Sequence, residues 1–293
     1  MTPETLDEPP PSQGPASLRS SRLPPEHAPA PPGVVGWLGG TAVALMERLG
    51  DVTRLLLSSI RVLPKRPLEF RQILTQLDAI GVESTGLVII TGTFVGMVMA
   101  LQFVLGLQKF GGMEYTGRVI SLSFSRELAP SLTAVIVGGR IASGIAAEIG
   151  SMVVTEQVDA IRALGADPIK KLVMPRLVAA VIAMPIMAVI SFLLGMAGAL
   201  AVCSLQFGLP PSFFISTALD SLHLVDFWSG YLKTPFFGAI IALVGCHCGL
   251  RTRGGTQGVG HATTEAVVIT SVSILIADLL LTNLFNIVFQ RPP

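Results

Sequence analysis

Four ionisable residues sit where hydrocarbon is expected: Arg126, Glu127, Lys233 and Asp278. Each lies inside or beside a long apolar run. An ionised group at such depth costs several kcal/mol unless a partner or a cavity receives it. Adjacent helical residues point about 100° apart, so Arg126 and Glu127 do not neutralise each other. The four charges sum to zero and can converge. The expected pair is Glu127 with Lys233. Arg126 would then be free to hold an anionic headgroup, because a guanidinium matches phosphate geometry. The competing reading is an ion-pair network that only locks helix packing. Phe94 and Met97, on the first apolar run, could line an acyl-chain cavity beside them.

The runs that carry these residues are defined by missing charge. No Asp, Glu, Lys or Arg occurs from Ser84 to Gln108, from Leu177 to Leu219 or from Thr234 to Leu250. Between Ala266 and Phe289 only Asp278 intervenes. Half the chain is hydrophobic (51%), 13% is charged, and the mean hydropathy is +0.67. A soluble domain carries roughly 25% charged residues. A helix needs about 20 apolar residues to cross a bilayer and satisfies its own backbone there. The fold class is therefore an all-α membrane protein with five spans: about 82–107, 119–147, 177–204, 226–250 and 262–289. Arg126 and Glu127 lie roughly 10 Å along the second span from Val119, at 1.5 Å per residue. Arg140, farther along, reads as a snorkelling residue near the interface.

Residues 1–33 are rich in Pro, Ser and Ala and read as a disordered tail. Residues 34–64 read as an interfacial amphipathic helix, with Leu38, Leu45, Leu49, Val52 and Leu56 on one side and Glu47, Arg48, Asp51 and Arg54 on the other. The remainder, 65–293, forms the membrane domain. Basic residues collect before the first span, between the second and third (Arg162, Lys170, Lys171, Arg176) and between the fourth and fifth (Arg251, Arg253). The positive-inside rule then puts the N-terminus in the cytoplasm and the C-terminus outside. Between the second and third spans, Val154, Val158, Ile161 and Leu164 repeat at helical spacing, closed by Gly165 and Pro168. This is a short helix that can carry force from a docked partner. Gly92 and Gly96, with Gly195 and Gly198, offer close helix crossings.

Several classes are excluded or disfavoured. A net charge of +1 leaves no electrostatic footprint for nucleic acid. Cys246-His247-Cys248 lacks zinc-ligand spacing, and no cofactor motif is present. No G-x-x-x-x-G-K-[ST] stretch exists, so the chain has no phosphate loop for ATP and is not read as an enzyme. An ion- or proton-coupled secondary transporter of an amphipathic substrate is the alternative, resting on Asp278 alone.

The motifs Arg126-Glu127-Leu128-Ala129-Pro130, Gly139-Arg140, Ala147-Glu148-Ile149-Gly150, Thr155-Glu156-Gln157, Ala166-Asp167-Pro168, Pro175-Arg176 and Gly260-His261-Ala262-Thr263-Thr264 resemble the MlaE permease family over about 81–285. These are membrane subunits of ABC transporters that work with MCE proteins. The resemblance implies a homodimer, a cytoplasmic ABC ATPase subunit, a periplasmic MCE-domain protein and, in some systems, a small STAS-domain protein. It implies lipid substrates, typically glycerophospholipids moved between the bacterial inner and outer membranes. It places Arg126, Glu127 and Lys233 at a central lipid cavity. Glu148, Gly150, Glu156, Gln157, Asp159, Gly165 and Pro168 fall in or beside its ATPase-coupling helix.

Overall fold

The computed structural model describes residues 70–289 and Gly50; the tail and the 34–64 helix expected from the sequence lie outside the described residues. Every regular element among the described residues is helical. Five are long and apolar enough to cross a membrane: α1 (Phe70–Gln108), α2 (Met113–Val154), α4 (Ile169–Phe207), α6 (Leu224–Leu250) and α7 (Gly255–Phe289). Two shorter helices join them among residues 70–289, α3 (Gln157–Ala163) and α5 (Pro211–Ser221).

The spans are longer than the charge-free runs that announce them. α1 begins at Phe70, twelve residues before the expected start, because a π turn at Asp78–Val82 carries the helix through Asp78 and Glu83 without a break. α7 begins at Gly255, inside the expected Gly-rich loop, where Gly254 and Gly255 take φ of +88° and +70° that only glycine adopts freely. The segment 208–225, expected as loop, holds α5. That helix docks on the start of α2 through a Ser121–Ser221 hydroxyl contact of 2.8 Å.

Small residues set the packing. A Cβ on Gly96 would collide with the backbone of Gly195, so α1 and α4 cross with main chains in contact. Gly92 faces Ser191 and Gly198 faces Thr93 along the same seam, the close crossing that those glycines promised. α2 occupies the centre. Gly245 of α6 sits against Ala142, and Gly138 of α2 against Ile241 of α6 and Ile274 of α7. Lipid supplies no hydrophobic drive between helices, so tight main-chain approach and dispersion carry the association. Large apolar side chains point away instead: Ile90, Phe94, Ile186, Leu193, Leu275 and Leu279 are all more than half exposed. That distribution suits a surface solvated by acyl chains.

Candidate functional site

The site begins with a proline. Pro130 has no N–H, and its ring clashes with the carbonyl four residues earlier, which belongs to Arg126. α2 responds by widening into a π turn over Phe124–Leu128. Such bulges recur at functional positions. Here the bulge does two things. It carries Arg126 and Glu127, and it leaves the Arg126 carbonyl open to an outside donor. Lys233 Nζ donates to that oxygen at 3.3 Å.

Lys233 is delivered by an interruption in α6. Its helical segments, Leu224–Tyr231 and Thr234–Leu250, are separated by a turn at Leu232 and Lys233. Pro235 denies the Tyr231 carbonyl its usual helical donor, and the Thr234 hydroxyl takes that oxygen at 2.8 Å. Gly230 allows the approach: a Cβ there would strike the Ser125 carbonyl oxygen. The bulge of α2 and the turn of α6 therefore fit into each other, and both depend on a proline.

Around the ammonium the partners are close. Lys233 Nζ donates to Glu127 Oε2 at 2.8 Å, to Thr282 Oγ1 at 2.6 Å and to Asp278 Oδ1 at 3.3 Å. Thr282 donates to Glu127 Oε1 at 3.2 Å, and Ser131 donates to Asp278 Oδ2 at 2.8 Å. The expected Glu127–Lys233 pair is present, and Asp278 joins it. Arg126 is not a free cation in this conformation. Its Nη2 donates to Asn286 Oδ1 at 3.2 Å and its Nε lies 3.7 Å from Asp226 Oδ1. Asp226 also accepts the His223 backbone N–H at 3.4 Å and so fixes the first turn of α6.

Burial is graded across the cluster. The Lys233 side chain is 2% exposed, whereas Glu127 is 40% and Arg126 45% exposed. One side of the network is sealed by protein and the other is open. With Asp226 included, two cations face three carboxylates. The arrangement can offer a guanidinium and a carboxylate edge to a polar group while the ammonium holds the remainder in place. Lys233 lies about 14 Å along α6 from its start at Leu224, and Asp278 about 16 Å from the end of α7, so the cluster is well inside the helical bundle.

The other expected residues fall elsewhere. Met97 packs against Gly198 at the α1–α4 crossing, and Phe94 is 62% exposed on the outer side of α1. Neither hydrogen-bonds or ion-pairs with the charge cluster. Arg140, expected to snorkel, has partners on α1: its Nη1 donates to Ser84 Oγ at 2.6 Å and its Nη2 to Glu83 Oε2 at 3.4 Å, tying α2 to α1. Ser131, Asp226, Thr282 and Asn286 were missed. A signal existed. Asp278, Thr282 and Asn286 recur every four residues on α7, and Asp226, Gly230 and Lys233 share a stripe on α6.

Between α2 and α4 the chain turns through α3. Its bounds are narrower than the periodicity suggests. Val154 ends α2, and Glu156 takes a left-handed conformation, φ +58°, before the helix starts at Gln157. Val158 is buried, while Gln157 and Asp159 face out. Asp159 pairs with Arg162 at 2.7 Å. Gly165 has φ +76°, and Asp167 caps the turn into α4 by accepting the Ile169 N–H at 2.9 Å, just past Pro168. Gly150 approaches Thr252 closely, which links α2 to the α6–α7 turn. Glu148 accepts from Arg176 at 2.7 Å.

The MlaE permease family, described as Permease MlaE, matches residues 73–284. A chloroplast protein of Arabidopsis thaliana named TRIGALACTOSYLDIACYLGLYCEROL 1 is 40% identical over 226 residues, 77% of this chain and 64% of its own length. A Synechocystis protein named as an ABC transporter permease is 43% identical over 211 residues, 72% of this chain and 80% of its own. One from Rickettsia bellii, similarly named, is 38% identical over 248 residues, 85% and 96% respectively. Five apolar helices of spanning length, the profile match over most of the chain and these relatives lead to one conclusion: the chain is a multi-pass membrane protein that belongs to the MlaE permease family, the permease component of ABC transporters, which implies an ATPase partner and a dimeric permease.

Proposed function

We propose that this permease moves lipids, glycerophospholipids foremost, between the inner and outer membranes of a bacterium, with hydrolysis of ATP supplied by a separate subunit. The observation that carries this reading is the graded burial of the cluster. Lys233 is sealed, and Arg126 and Glu127 are open on one side. An open guanidinium at membrane depth is suited to a phosphate. The name of the Arabidopsis relative contains a galactolipid, which supports a lipid class of substrate. Asp278, on which a proton-coupled mechanism would rest, is engaged by Lys233 and Ser131.

In this reading the cluster lines an outward-facing cavity completed by a second copy of the chain, and a periplasmic MCE-domain protein receives or delivers the lipid. Phe94 and Met97 would contribute acyl-chain contacts. Glu148, Gly150, Glu156, Gln157, Asp159, Gly165 and Pro168 form the joint on which the ATPase acts. A STAS-domain protein would bind that ATPase. The N-terminus lies in the cytoplasm and the C-terminus in the periplasm, as the basic loops direct. ATP binding would shift α3, and the rigid α2 and α4 flanking it would carry the movement to the π turn and to the Lys233 turn.

The test is mass spectrometry of lipids retained by the purified complex. The wild-type complex should hold glycerophospholipid and a near-equal amount of ATPase. Arg126→Gln should hold less lipid than the wild type and keep the ATPase. Undiminished lipid in that variant would overturn the assignment of the cluster, and absence of an ATPase from the intact complex would overturn the coupling.

A further inference from the structure

Far from the Lys233 cluster, a cavity of about 410 Å³ opens where the first turns of α1 and α4 meet the end of α2 and the side of α3. Glu148, on its wall, is about 30 Å along α2 from Glu127. The lining is of mixed chemistry. Arg71, Lys171 and Arg176 bring three cations against the carboxylate of Glu148, and Met152 and Ile161 add apolar surface.

Arg176 forms a built floor. Its side chain is 4% exposed; Nη2 bonds Glu148 Oε1 at 2.7 Å and Nη1 the Leu172 carbonyl at 2.6 Å. Its Nε is buried and has no hydrogen-bond partner among the described residues. Arg71 and Lys171 are exposed. An excess of two positive charges on the lining, two of the three cations being exposed, selects an anion with several oxygens.

The surroundings select its source. Phe70 and Leu74, on either side of Arg71, are 68% and 50% exposed. This end of α1 therefore presents greasy side chains around a basic recess, as a helix does at the edge of a bilayer. Basic pockets between membrane helices at that level hold anionic headgroups. A volume of about 410 Å³ lies at the small end of the range for ligand pockets, enough for a headgroup and glycerol with the acyl chains left outside. An acidic protein loop would satisfy the charge but would not use the exposed Phe70 and Leu74.

We propose that this recess is a second lipid site, which holds the phosphodiester of an anionic glycerophospholipid as a resident ligand. The site is distinct from the Arg126 cluster and does not depend on the transport reading. Because α3 contributes Ile161 to its wall, a bound headgroup would brace the joint between α2, α3 and α4.

The experiment is native mass spectrometry of the full chain in its complex, delipidated and titrated with phosphatidylglycerol, phosphatidylcholine or inorganic phosphate. Phosphatidylglycerol should bind at least tenfold more tightly than phosphatidylcholine. Arg71→Gln with Lys171→Gln should weaken phosphatidylglycerol at least tenfold, and Arg71→Lys with Lys171→Arg should keep it within about twofold. In an Arg126→Gln background, which removes any lipid held by the cluster, the neutral pair Arg71→Gln with Lys171→Gln should still remove one bound phosphatidylglycerol per chain, which separates the site from the cluster. Equal binding of the two lipids, or phosphatidylglycerol binding unchanged in the neutral double variant, would overturn the proposal. Inorganic phosphate that competes fully with the lipid would also overturn it and assign the recess to a free anion. The melting temperature of each variant shows whether a loss of binding reflects a loss of fold.

Discussion

Lys233→Met removes the ammonium that stands between Glu127 and Asp278 and keeps the shape of the side chain. The structure sets the size of the effect. Taking one partner from a buried ion pair costs about 3–5 kcal/mol, because the charge left behind has lost its counterion. Lys233 has two such counterions, at 2.8 and 3.3 Å. Glu127 is 40% exposed and recovers part of its solvation, so its share is discounted. Asp278, 19% exposed, recovers less. The expected loss is about 3 kcal/mol, more than a hundredfold in the folding equilibrium. Asp278→Asn alone should cost less, about 1–2 kcal/mol, because Ser131 can still bond the amide. Combined, the two substitutions should cost about 1.5 kcal/mol less than their sum. The assay is reversible unfolding of the full chain in mixed micelles, followed through Trp228, which is on α6 five residues from Lys233. Simple additivity, or a Lys233→Met loss under about 0.5 kcal/mol, would refute the claim that this ammonium organises the site.

Other outcomes follow from the same geometry. Gly230→Ala should destabilise the fold by about 1–3 kcal/mol in the same unfolding assay, because its methyl meets the Ser125 carbonyl oxygen at the junction of the two interrupted helices. Pro130→Ala restores a donor for the Arg126 carbonyl; it should leave stability within about 1 kcal/mol and lower transport, read in proteoliposomes, by drawing that oxygen away from Lys233. Glu156→Gly relieves a left-handed residue and should raise stability by about 1 kcal/mol, seen as a higher melting temperature of the purified complex. Glu148→Gln leaves the 4%-exposed Arg176 without its carboxylate and should lower that temperature markedly.

Which parts were legible follows from which physical signals a single sequence carries. The spans were, because a bilayer forbids charge over about 20 residues and the gaps at 84–108, 177–219 and 234–250 record that. The convergence of Glu127, Lys233 and Asp278 was, because each needed a partner at depth. Arg126 was expected to be free; its partner Asp226 stood at the mouth of a span, where a carboxylate raises no alarm. Thr282, Ser131 and Asn286 are polar without being costly, so only their stripe beside Asp278 marked them. The interruptions were illegible: Pro130 announces a kink, and the choice of a π turn depends on Lys233 arriving from another helix to take the freed carbonyl. The partners of Arg140 were illegible for a related reason, since Glu83 and Ser84 sit on a helix whose start the charge gap placed too late. α3 came out one turn shorter than its periodicity because hydrophobic spacing does not register a single left-handed residue at Glu156.

The most direct measurement is ATP-dependent transfer of labelled glycerophospholipid by the complete complex in proteoliposomes, wild type against Arg126→Gln, with ATPase content and ATP hydrolysis determined on the same preparation. Transfer should fall at least tenfold while the ATPase stays bound and hydrolyses ATP. Transfer at the wild-type rate, from a cluster stripped of its open guanidinium, would contradict the account.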